Sequence, residues 1–483
     1  MPSSVRNEKT GIWYLDALMA HSRWQDGPMT YSFPASSSSY EPGYQELARG
    51  FAQLTTGQMQ AVRYILEGQT STKGGPVSKL MPVEGFTNLS FVDAGFGAAD
   101  MRVARWDTDY SYGFPPGMSS APAYKHGDVW MSDLYWSEPM VGDALYQTLI
   151  HEFGHALGLT HTHEYGVGAP LPADWDGIEY SVMSYRSYPG SPTTPYPWAQ
   201  VERYGYAQTY MMYDVAALQQ MYGADFGLRK TNTVYRWSPT TGETFVNGVG
   251  QGAPADGSGG AGNRIFLTLW DGGGRDTYDF SNYSTRVVAS LEPGSYVTLS
   301  SGQRAKIGDA HYARGNIFNA LQYQGDPRSL IENLVGGSAS DKLTGNGVAN
   351  VLKGGAGNDV LHGEGGGDTL IGGVGRDTLA GGEGFDRFRF DTIGESFGRT
   401  SDTIKDFVRG VDRIDLSRVD ADQDGTEGNQ AFKFIGSKAF TGRDGQLRFK
   451  DGVASGDVDG DKVADFAIKV AGLKALSAAD FVL

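Results

Sequence analysis

The run from His151 to His161 carries histidines and a glutamate at spacings suited to binding a metal ion. His151 and His155 are one helical turn apart, so a helix of about 3.6 residues per turn directs both imidazoles toward the same ion. Glu152 lies beside that pair, where its carboxylate can act as a base on a water molecule. Gly158 can end the helix with a positive φ and turn the chain back, which makes His161 available as a third ligand. The pattern H-E-x-x-H-x-x-G-x-x-H therefore predicts a zinc site for hydrolysis.

Two other interpretations fit parts of this pattern. An isolated H-E-x-x-H can be a core helix with hydrogen-bonded histidines, and the full pattern from His151 to His161 argues against that interpretation. His163 is a rival for the third ligand position, and the spacing after Gly158 favours His161. We expect His151, His155 and His161 to bind zinc, while Glu152 takes a proton from the attacking water and delivers it to the leaving amine.

A second motif follows at Ser181-Val182-Met183-Ser184-Tyr185. It resembles the Met-turn of the metzincin metallopeptidases, in which a methionine packs beneath the zinc ligands. The form S-V-M-S-Y is similar to the serralysin branch, and this resemblance implies that Met183 is the structural methionine. It also implies that Tyr185 is a labile zinc ligand, which leaves the metal when substrate binds and donates a hydrogen bond to the oxyanion. Taken alone, Met183 would be an ordinary core residue and Tyr185 a packed tyrosine.

The elements around these motifs must position them. Asp143 is suited to begin the zinc helix, because its carboxylate matches the positive helix end. Residues 57–67 and 212–221 have apolar residues at helical intervals and predict two further helices. The segment 129–131 predicts a strand just before the zinc helix, and we expect its exposed edge to accept an extended substrate peptide.

An internal repeat of nine residues begins at Gly336. Three columns share this period: Gly336, Gly345, Gly354, Gly363, Gly372 and Gly381; Asp341, Asn350, Asp359, Asp368, Asp377 and Asp386; Leu343, Leu352, Leu361, Leu370, Leu379 and Phe388. The pattern predicts a turn and a short strand in each repeat, with two repeats per coil of a parallel β-roll and calcium between successive turns. A flexible glycine-rich linker is the alternative, and it would not keep an apolar column.

These repeats resemble the RTX repeats of secreted bacterial proteins. The resemblance implies calcium ligands at Gly337, Asp341, Asn350, Gly354, Gly355, Gly357, Asp359, Gly363, Gly366, Asp368, Gly372, Gly373, Gly375, Asp377 and Asp386. Ala339, Asn346, Val348 and Glu364 replace glycines of the pattern, and Asn350 replaces the acid. We expect calcium sites that use those turns to be weaker or missing.

A further segment, residues 270–280, resembles an additional calcium loop of the serralysins. That resemblance implies ligands at Arg229, Thr231, Thr233, Asp271, Gly273, Gly274, Asp276 and Glu332. Thr231 and Leu330 depart from the family pattern, so the resemblance supports Asp271, Asp276 and Glu332 most firmly.

The chain is expected to have three parts. Residues 1–22 form an N-terminal segment with Ile12, Leu15 and Met19 on one helical face, and it is either a packed helix or part of a removable propeptide. Residues 23–230 are expected to form a zinc metalloprotease domain and residues 231–483 a calcium-binding β-roll domain. The predicted fold class is an α+β metzincin catalytic domain followed by an all-β C-terminal parallel β-roll (RTX) domain.

Composition excludes several classes of protein. The 40 basic and 56 acidic side chains give a formal charge of −16, which argues against a nucleic-acid partner and favours bound cations. There is no cysteine, so neither disulfides nor a thiol latch on the zinc can form. No apolar run approaches a membrane span, and the N-terminus does not resemble a Sec-type signal peptide. The final residues 480–483 resemble a type I (ABC-transporter) secretion signal, or form a last strand on the roll; both can hold.

The resemblance to serralysins extends from about Trp24 to Leu483. It implies a secreted, extracellular, calcium-dependent zinc endopeptidase of broad specificity with one catalytic zinc and several structural calcium ions. The expected partners are protein and peptide substrates and the type I secretion apparatus, with a proteinaceous inhibitor as a further candidate. The chain is expected to be a monomer. A calcium-dependent RTX adhesin or binding protein with a structural zinc site is the alternative. An RTX lipase would need a G-x-S-x-G elbow, and the sequence has none.

Overall fold

The computed structural model describes residues 3–25, 27–42, 44–68, 80–133, 138–193, 198–255, 262–422 and 428–483. The chain divides into two compact units. The first unit comprises Met1–Thr231, Ser238–Gly274 and Ser301–Ser329, and the second comprises Asn232–Trp237, Arg275–Ser300 and Leu330–Leu483. The division is therefore not a single cut in the sequence, because two segments beyond residue 231 belong to the first unit.

The α-helices of the described residues all lie in the first unit. They are α1 (Trp13–Leu18), α2 (Thr56–Leu66), α3 (Val83–Phe86), α4 (Ala144–Ala156) and α5 (Met212–Tyr222). Helix α2 begins with a capping box, in which Thr55 and Gln58 satisfy each other's backbone N–H groups. Helix α4 begins as expected, since the Asp143 carboxylate accepts the N–H of Tyr146 at 2.8 Å. Within the described ranges, no helix has the length and apolar character needed to cross a membrane.

The first part of the chain also forms a mixed sheet. The strands in this part of the chain are β1 (Ser4–Arg6), β2 (Ser22–Trp24), β3 (Pro28–Ser32), β4 (Phe51–Ala52), β5 (Ser90–Asp93), β6 (Met101–Trp106), β7 (Tyr112–Gly113) and β8 (Val129–Ser132). The main sheet has the order β5-β3-β6-β8-β7, and β4 pairs with β6 beside it. The pairings β3–β5, β3–β6 and β6–β8 are parallel, while β7–β8 is antiparallel. Strands β1 and β2 form a separate antiparallel pair.

The prediction of an exposed strand edge at 129–131 is wrong. Strand β8 has β6 on one side, and Tyr112 and Gly113 of β7 pair with Trp130 and Val129 on the other. The edge is instead the short β7, because the glycine-rich segment after β6 returns antiparallel to β8. Gly113 thereby comes to lie against helix α4.

The remaining strands are short and numerous. In chain order they are β9 (Val234–Trp237), β10 (Thr244–Val246), β11 (Val249–Gly250), β12 (Leu267–Leu269), β13 (Thr277–Asp279), β14 (Val288–Ser290), β15 (Tyr296–Thr298), β16 (Ile317–Asn319), β17 (Asn333–Val335), β18 (Lys342–Asn346), β19 (Val351–Ala356), β20 (Val360–Glu364), β21 (Thr369–Val374), β22 (Thr378–Ala380), β23 (Arg387–Arg389), β24 (Thr403–Ile404), β25 (Arg413–Asp415), β26 (Lys433–Phe434), β27 (Gln446–Lys450), β28 (Val453–Asp457), β29 (Phe466–Val470) and β30 (Phe481–Val482). The first unit contains the antiparallel pair β10–β11 and the parallel pair β12–β16.

The second unit is a parallel β-roll, as the repeat predicts. One sheet runs β9-β13-β17-β19-β21-β23-β25-β30, and the other contains β14-β18-β20-β22-β24-β29. The register pairs Leu343 with Leu361 and Leu361 with Leu379, so two nine-residue repeats complete one coil. The apolar column is fully buried: Leu343, Leu352, Leu361, Leu370, Leu379 and Phe388. The chain is thus mostly β, and its last strand, β30, pairs with β25.

Candidate metal centre

Three histidine side chains converge at the end of helix α4. The helix carries His151 and His155, and it stops just before Gly158, whose φ of 97° turns the chain back as expected. Nε2 of His161 lies 3.3 Å from Nε2 of His151 and 3.0 Å from Nε2 of His155. Nitrogen ligands about 2.0–2.1 Å from a tetrahedral zinc ion lie about 3.3 Å apart, so this spacing fits zinc.

The second ring nitrogen of each histidine faces an acceptor. Nδ1 of His151 donates to the Val182 carbonyl at 2.8 Å, and Nδ1 of His155 donates to the Leu159 carbonyl at 3.0 Å. Nδ1 of His161 lies 3.2 Å from the Glu164 carboxylate. A proton held at each Nδ1 leaves a lone pair on each Nε2, and these lone pairs face one another. Such an arrangement fits a cation bound between them.

Burial keeps the side chains of His151 and His155 neutral. It is the largest influence on both side chains, lowering the pKa of His155 to about 3 and that of His151 well below its ordinary value. The neighbouring histidines lower both pKa values further. The lone pairs are therefore available to a metal at neutral pH.

His163 does not replace His161 in this group. The cluster of ligand atoms that includes His151 and His155 contains His161, whereas His163 groups with His161 and Glu164. The ring of His163 stacks on that of His161, with centroids 5.3 Å apart.

The Glu152 carboxyl is buried beside the histidines. Burial raises its pKa to about 8, and a hydrogen bond from the Gly113 N–H opposes part of that rise. Gly113 was not singled out from the sequence. A Cβ at this position would lie 2.2 Å from the Glu152 carbonyl oxygen and 3.3 Å from Cβ of His155. Only glycine therefore allows β7 to approach the helix this closely.

Tyr185 lies among the histidine rings. Its ring centroid is 4.4 Å from that of His161, 4.9 Å from that of His163 and 5.9 Å from that of His151. Burial, followed by the charges of Glu152 and Glu164, raises the pKa of Tyr185 to about 12. The phenol is therefore protonated at neutral pH and can donate a hydrogen bond.

Met183 is fully buried against helix α4. A Cβ at Gly154 would lie 2.6 Å from its sulfur, so the absence of a side chain there makes room for the thioether. Gly154 lies between the two helical histidines in sequence. The methionine thus packs against the part of α4 that carries them.

Asp214 of helix α5 holds the turn that contains Met183. One carboxylate oxygen accepts the Ser181 hydroxyl at 2.5 Å, and the other accepts the N–H groups of Val182 at 2.8 Å and Met211 at 2.9 Å. Val182 in turn accepts the hydrogen bond from His151. Sequence reasoning missed Asp214, whose one local signal is its place in the first turn of α5.

The N-terminal segment contacts the loop that carries His161. Met19 forms an antiparallel bridge with Leu159, and Ala20 donates its N–H to the Gly158 carbonyl at 2.8 Å. Thr160 donates its N–H to the Leu18 carbonyl at 2.9 Å.

The acidic column of the roll shares one geometry over most of its length. The Oδ1 atoms of Asp359, Asp368, Asp377 and Asp386 each accept the N–H of the residue 18 positions earlier. Asp402 does the same for Asp377, 25 positions earlier, and was not predicted. The Oδ2 atoms of all five are buried without a hydrogen-bond partner. Orphaned anionic oxygens of this kind fit a hard cation such as calcium.

The glycines of these turns leave no room for side chains. A Cβ at Gly354, Gly363, Gly372 or Gly381 would lie 2.1 to 2.4 Å from the carboxylate oxygen of its own turn. A Cβ at Gly355, Gly357, Gly366, Gly373 or Gly375 would lie 1.5 to 2.6 Å from the backbone of the preceding coil. Gly337 similarly abuts the Tyr283 carbonyl.

The residues predicted to be upstream calcium ligands do not all belong to the same unit. Arg229, Thr231, Asp271, Gly273 and Gly274 belong to the first unit, where Asp271 accepts the N–H of Gly273 at 2.9 Å. In the second unit, Asp276 accepts the N–H of Thr233 and donates its own N–H to Glu332, both at 2.7 Å. The calcium role of these residues stays a prediction.

Comparisons with known proteins give a consistent family. The family model described as "Peptidase M10 serralysin C terminal" matches residues 224–483. Metalloprotease AprA of Pseudomonas entomophila is 34% identical over 70% of this chain and 63% of its own length. Serralysin of Proteus mirabilis is 33% identical over 74% of this chain and 70% of its own, and Serralysin A of Dickeya chrysanthemi is 36% identical over 70% and 62%.

The matches thus span about two thirds of the length of these relatives. Among solved structures, the AlgE6R3 subunit of the Azotobacter vinelandii mannuronan C5-epimerase is 31% identical to this chain in the matched region. The match covers 31% of this chain and 80% of the subunit, with a TM-score of 0.23. The match to the whole second half, together with relatives above 30% identity, shows that the chain belongs to the serralysin family.

Proposed function

We propose that this chain is a secreted, calcium-dependent zinc endopeptidase whose first unit is a metzincin-type catalytic domain. The observation that carries the proposal is the convergence of three Nε2 atoms, at 3.0 and 3.3 Å, with an acceptor beside every Nδ1. His151, His155 and His161 would hold the zinc. The names of the relatives, which include metalloprotease and serralysin, support proteolysis as the reaction.

A bound zinc ion would polarise the scissile carbonyl and lower the pKa of a water molecule. Glu152 is the proton acceptor, since its raised pKa suits a group that takes a proton from the attacking water and returns it to the leaving amine near neutral pH. The Gly113 N–H orients the carboxylate. Tyr185, protonated at neutral pH, donates a hydrogen bond to the developing oxyanion and is proposed as a labile further ligand.

The second unit is proposed to bind several calcium ions and to fold outside the cell. At low cytosolic calcium the aspartates repel one another and keep the roll exportable by a type I apparatus; calcium at about 0.1–1 mM outside then folds it. Protein and peptide substrates, a monomeric state and a proteinaceous inhibitor as a further partner belong to the same proposal.

A binding protein with a structural zinc site uses the same three ligands, so activity must separate the two functions. We would measure casein hydrolysis and zinc content for the calcium-refolded wild type, for Glu152→Gln and for Glu8→Gln, which alters an exposed carboxylate. A protease loses several orders of magnitude of activity in Glu152→Gln while zinc stays bound, and Glu8→Gln matches the wild type. An inactive, folded, zinc-bound wild type would instead favour the binding protein.

A further inference from the structure

The turns of the roll are of two kinds. In the turns that begin at Gly354, Gly363, Gly372 and Gly381, the second residue has a left-handed backbone: Gly355 with φ 104°, Glu364 with φ 76°, Gly373 with φ 91° and Gly382 with φ 94°. These are the turns whose aspartate Oδ2 atoms are buried without a hydrogen-bond partner.

The two earlier turns are closed by their own backbone. Their second residues, Gly337 and Asn346, lie outside the left-handed region and donate their N–H groups to the sixth residue of the turn. Gly337 donates to Asp341 Oδ2, and Asn346 donates to Asn350 Oδ1, each at 2.7 Å. The side-chain oxygen that is orphaned in the later turns is therefore hydrogen-bonded here.

The turn from Gly345 to Asn350 is, in addition, neutral. Nδ2 of Asn350 donates to Oδ1 of Asn346 at 3.0 Å, and both amides are almost fully buried. Nδ2 of Asn346 donates to the carbonyls of Ile331 at 2.9 Å and Leu291 at 3.3 Å. We call this pair of side chains the amide clasp. It satisfies two backbone carbonyls with N–H donors and leaves no anionic oxygen in the turn.

We infer that the amide clasp of Asn346 and Asn350 replaces a calcium ion, so that this turn forms without calcium and gives the roll a preformed start. Asn350 therefore does not fit the calcium role that the repeat pattern implies. The later turns, from Gly354 onward, require the ion because their buried carboxylates have no other partner. This inference rests on the proposed calcium-binding roll and adds where in the roll calcium dependence begins.

Hydrogen exchange on the full-length chain tests the first half of the inference. In EGTA, amides of the segment 343–352 should exchange at least tenfold more slowly than those of the segment 361–379, and added calcium should remove the difference. Equal exchange of the two segments in EGTA overturns the inference, whether both are protected or both are open.

Calcium stoichiometry tests the second half. The double variant N346G/N350D restores a glycine and an acid, so it should bind one more calcium ion per chain than the wild type and lose the protection of its turn in EGTA. Asp368→Asn makes the acid-to-amide change in a turn with an orphaned oxygen, and it should bind one ion fewer. An unchanged count in the double variant overturns the inference.

Single variants keep the test usable if the double variant does not fold. Asn346→Gly alone removes the Nδ2 group that donates to the carbonyls of Ile331 and Leu291. The turn of this variant should lose its protection from exchange in EGTA without gaining a calcium ion. Protection that persists would overturn the inference. A wild type that binds no calcium refutes the proposed calcium-binding roll. A wild type that binds calcium, and whose segment 343–352 is more protected in EGTA than 361–379, supports both the proposed roll and the amide clasp.

Discussion

Met19 and Leu159 form an antiparallel bridge that connects the N-terminal segment to the loop carrying His161. Leu15, Ala17 and Leu18, just before Met19 in the chain, are buried. The segment therefore packs as part of the first unit. Removing it would expose this core and release the Gly158 carbonyl from its hydrogen bond with Ala20.

Leu18→Ala should destabilise the first unit. Leu18 is fully buried, so the change should lower the free energy of unfolding by about 2–5 kcal/mol. Ile12→Ala is the matched control, because Ile12 is 42% exposed and should cost well under half of that. Urea denaturation of zinc-loaded protein gives both values. Equal effects at the two positions would show that the segment is not part of the folded core.

Asp214→Ala should weaken zinc binding from a distance. It would leave the N–H groups of Val182 and Met211 without their acceptor and free the carbonyl that orients His151. We expect a loss of zinc affinity of about tenfold, measured by competition with a chelator, since partners beyond the ligands contribute effects of that size. Asp174→Ala, at an exposed aspartate, should leave the affinity unchanged.

Asp214→Asn provides the complementary test, because one oxygen accepts the N–H groups of both Val182 and Met211, and an amide oxygen can still do so. It should recover part of the affinity. A zinc affinity that stays at the wild-type value in Asp214→Ala would contradict the positioning role.

Gly113→Ala should impair catalysis more than zinc binding. The added Cβ would lie 2.2 Å from the Glu152 carbonyl oxygen, so β7 must move away from α4. The Glu152 carboxylate then loses its hydrogen bond from the backbone N–H of residue 113. A displacement of about 1 Å can reduce a rate about a hundredfold, and we expect a fall in kcat/KM of that order. Gly347→Ala is the control, because nothing lies within 4 Å of its added carbon. Full activity in Gly113→Ala would show that the contact is dispensable.

Sequence patterns predicted the residues that one local element brings together. His151, Glu152 and His155 share a helix, and His161 follows a single turn. Gly113 and Asp214 escaped because each acts across the fold, and no local pattern connects them to α4. The prediction of an exposed edge at β8 was wrong for a similar reason. Strand β7 has only two residues, which is too short for a sequence pattern to predict a strand.

The roll was predicted for as long as its period lasts. Asp402 was missed because the coil that ends at this residue is 25 positions long rather than 18, which breaks the repeat although the side chain takes the same position. The sequence does not distinguish the two kinds of turn, those with a hydrogen-bonded and those with an unpaired side-chain oxygen, for another reason. The distinction depends on the φ angle of the second residue, and Gly337 and Gly355 are the same in sequence.

The calcium-free roll should become more stable at lower pH. Burial raises the pKa of Asp359 and Asp368 to about 7 and that of Asp402 to about 8, from an ordinary value of 3.8. The folded roll then binds protons more tightly than the unfolded chain, so its stability without calcium rises as the pH falls from about 8 toward 4 and is lost as the pH rises.

Hydrogen exchange of the roll segments at pH 5 and pH 8, corrected for intrinsic rates, measures this effect on protein that has been dialysed free of calcium, because EGTA itself binds calcium weakly at pH 5. Asp368→Asn removes one of the titrating groups and should reduce the difference between the two pH values. Greater protection at pH 8 than at pH 5 would contradict the argument.

Tyr185→Phe should separate transition-state stabilisation from zinc binding. The ring contacts with His161 and His163 persist without the hydroxyl, so the three histidines should keep the zinc content and KM close to those of the wild type. Loss of one hydrogen-bond donor to an oxyanion lowers kcat by about 10²–10³-fold, and we expect a fall in that range. Tyr165→Phe removes the hydroxyl of a tyrosine that is 78% exposed and should have no effect. A wild-type kcat in Tyr185→Phe would exclude the phenol as a donor, whereas loss of zinc would make this tyrosine chiefly a ligand.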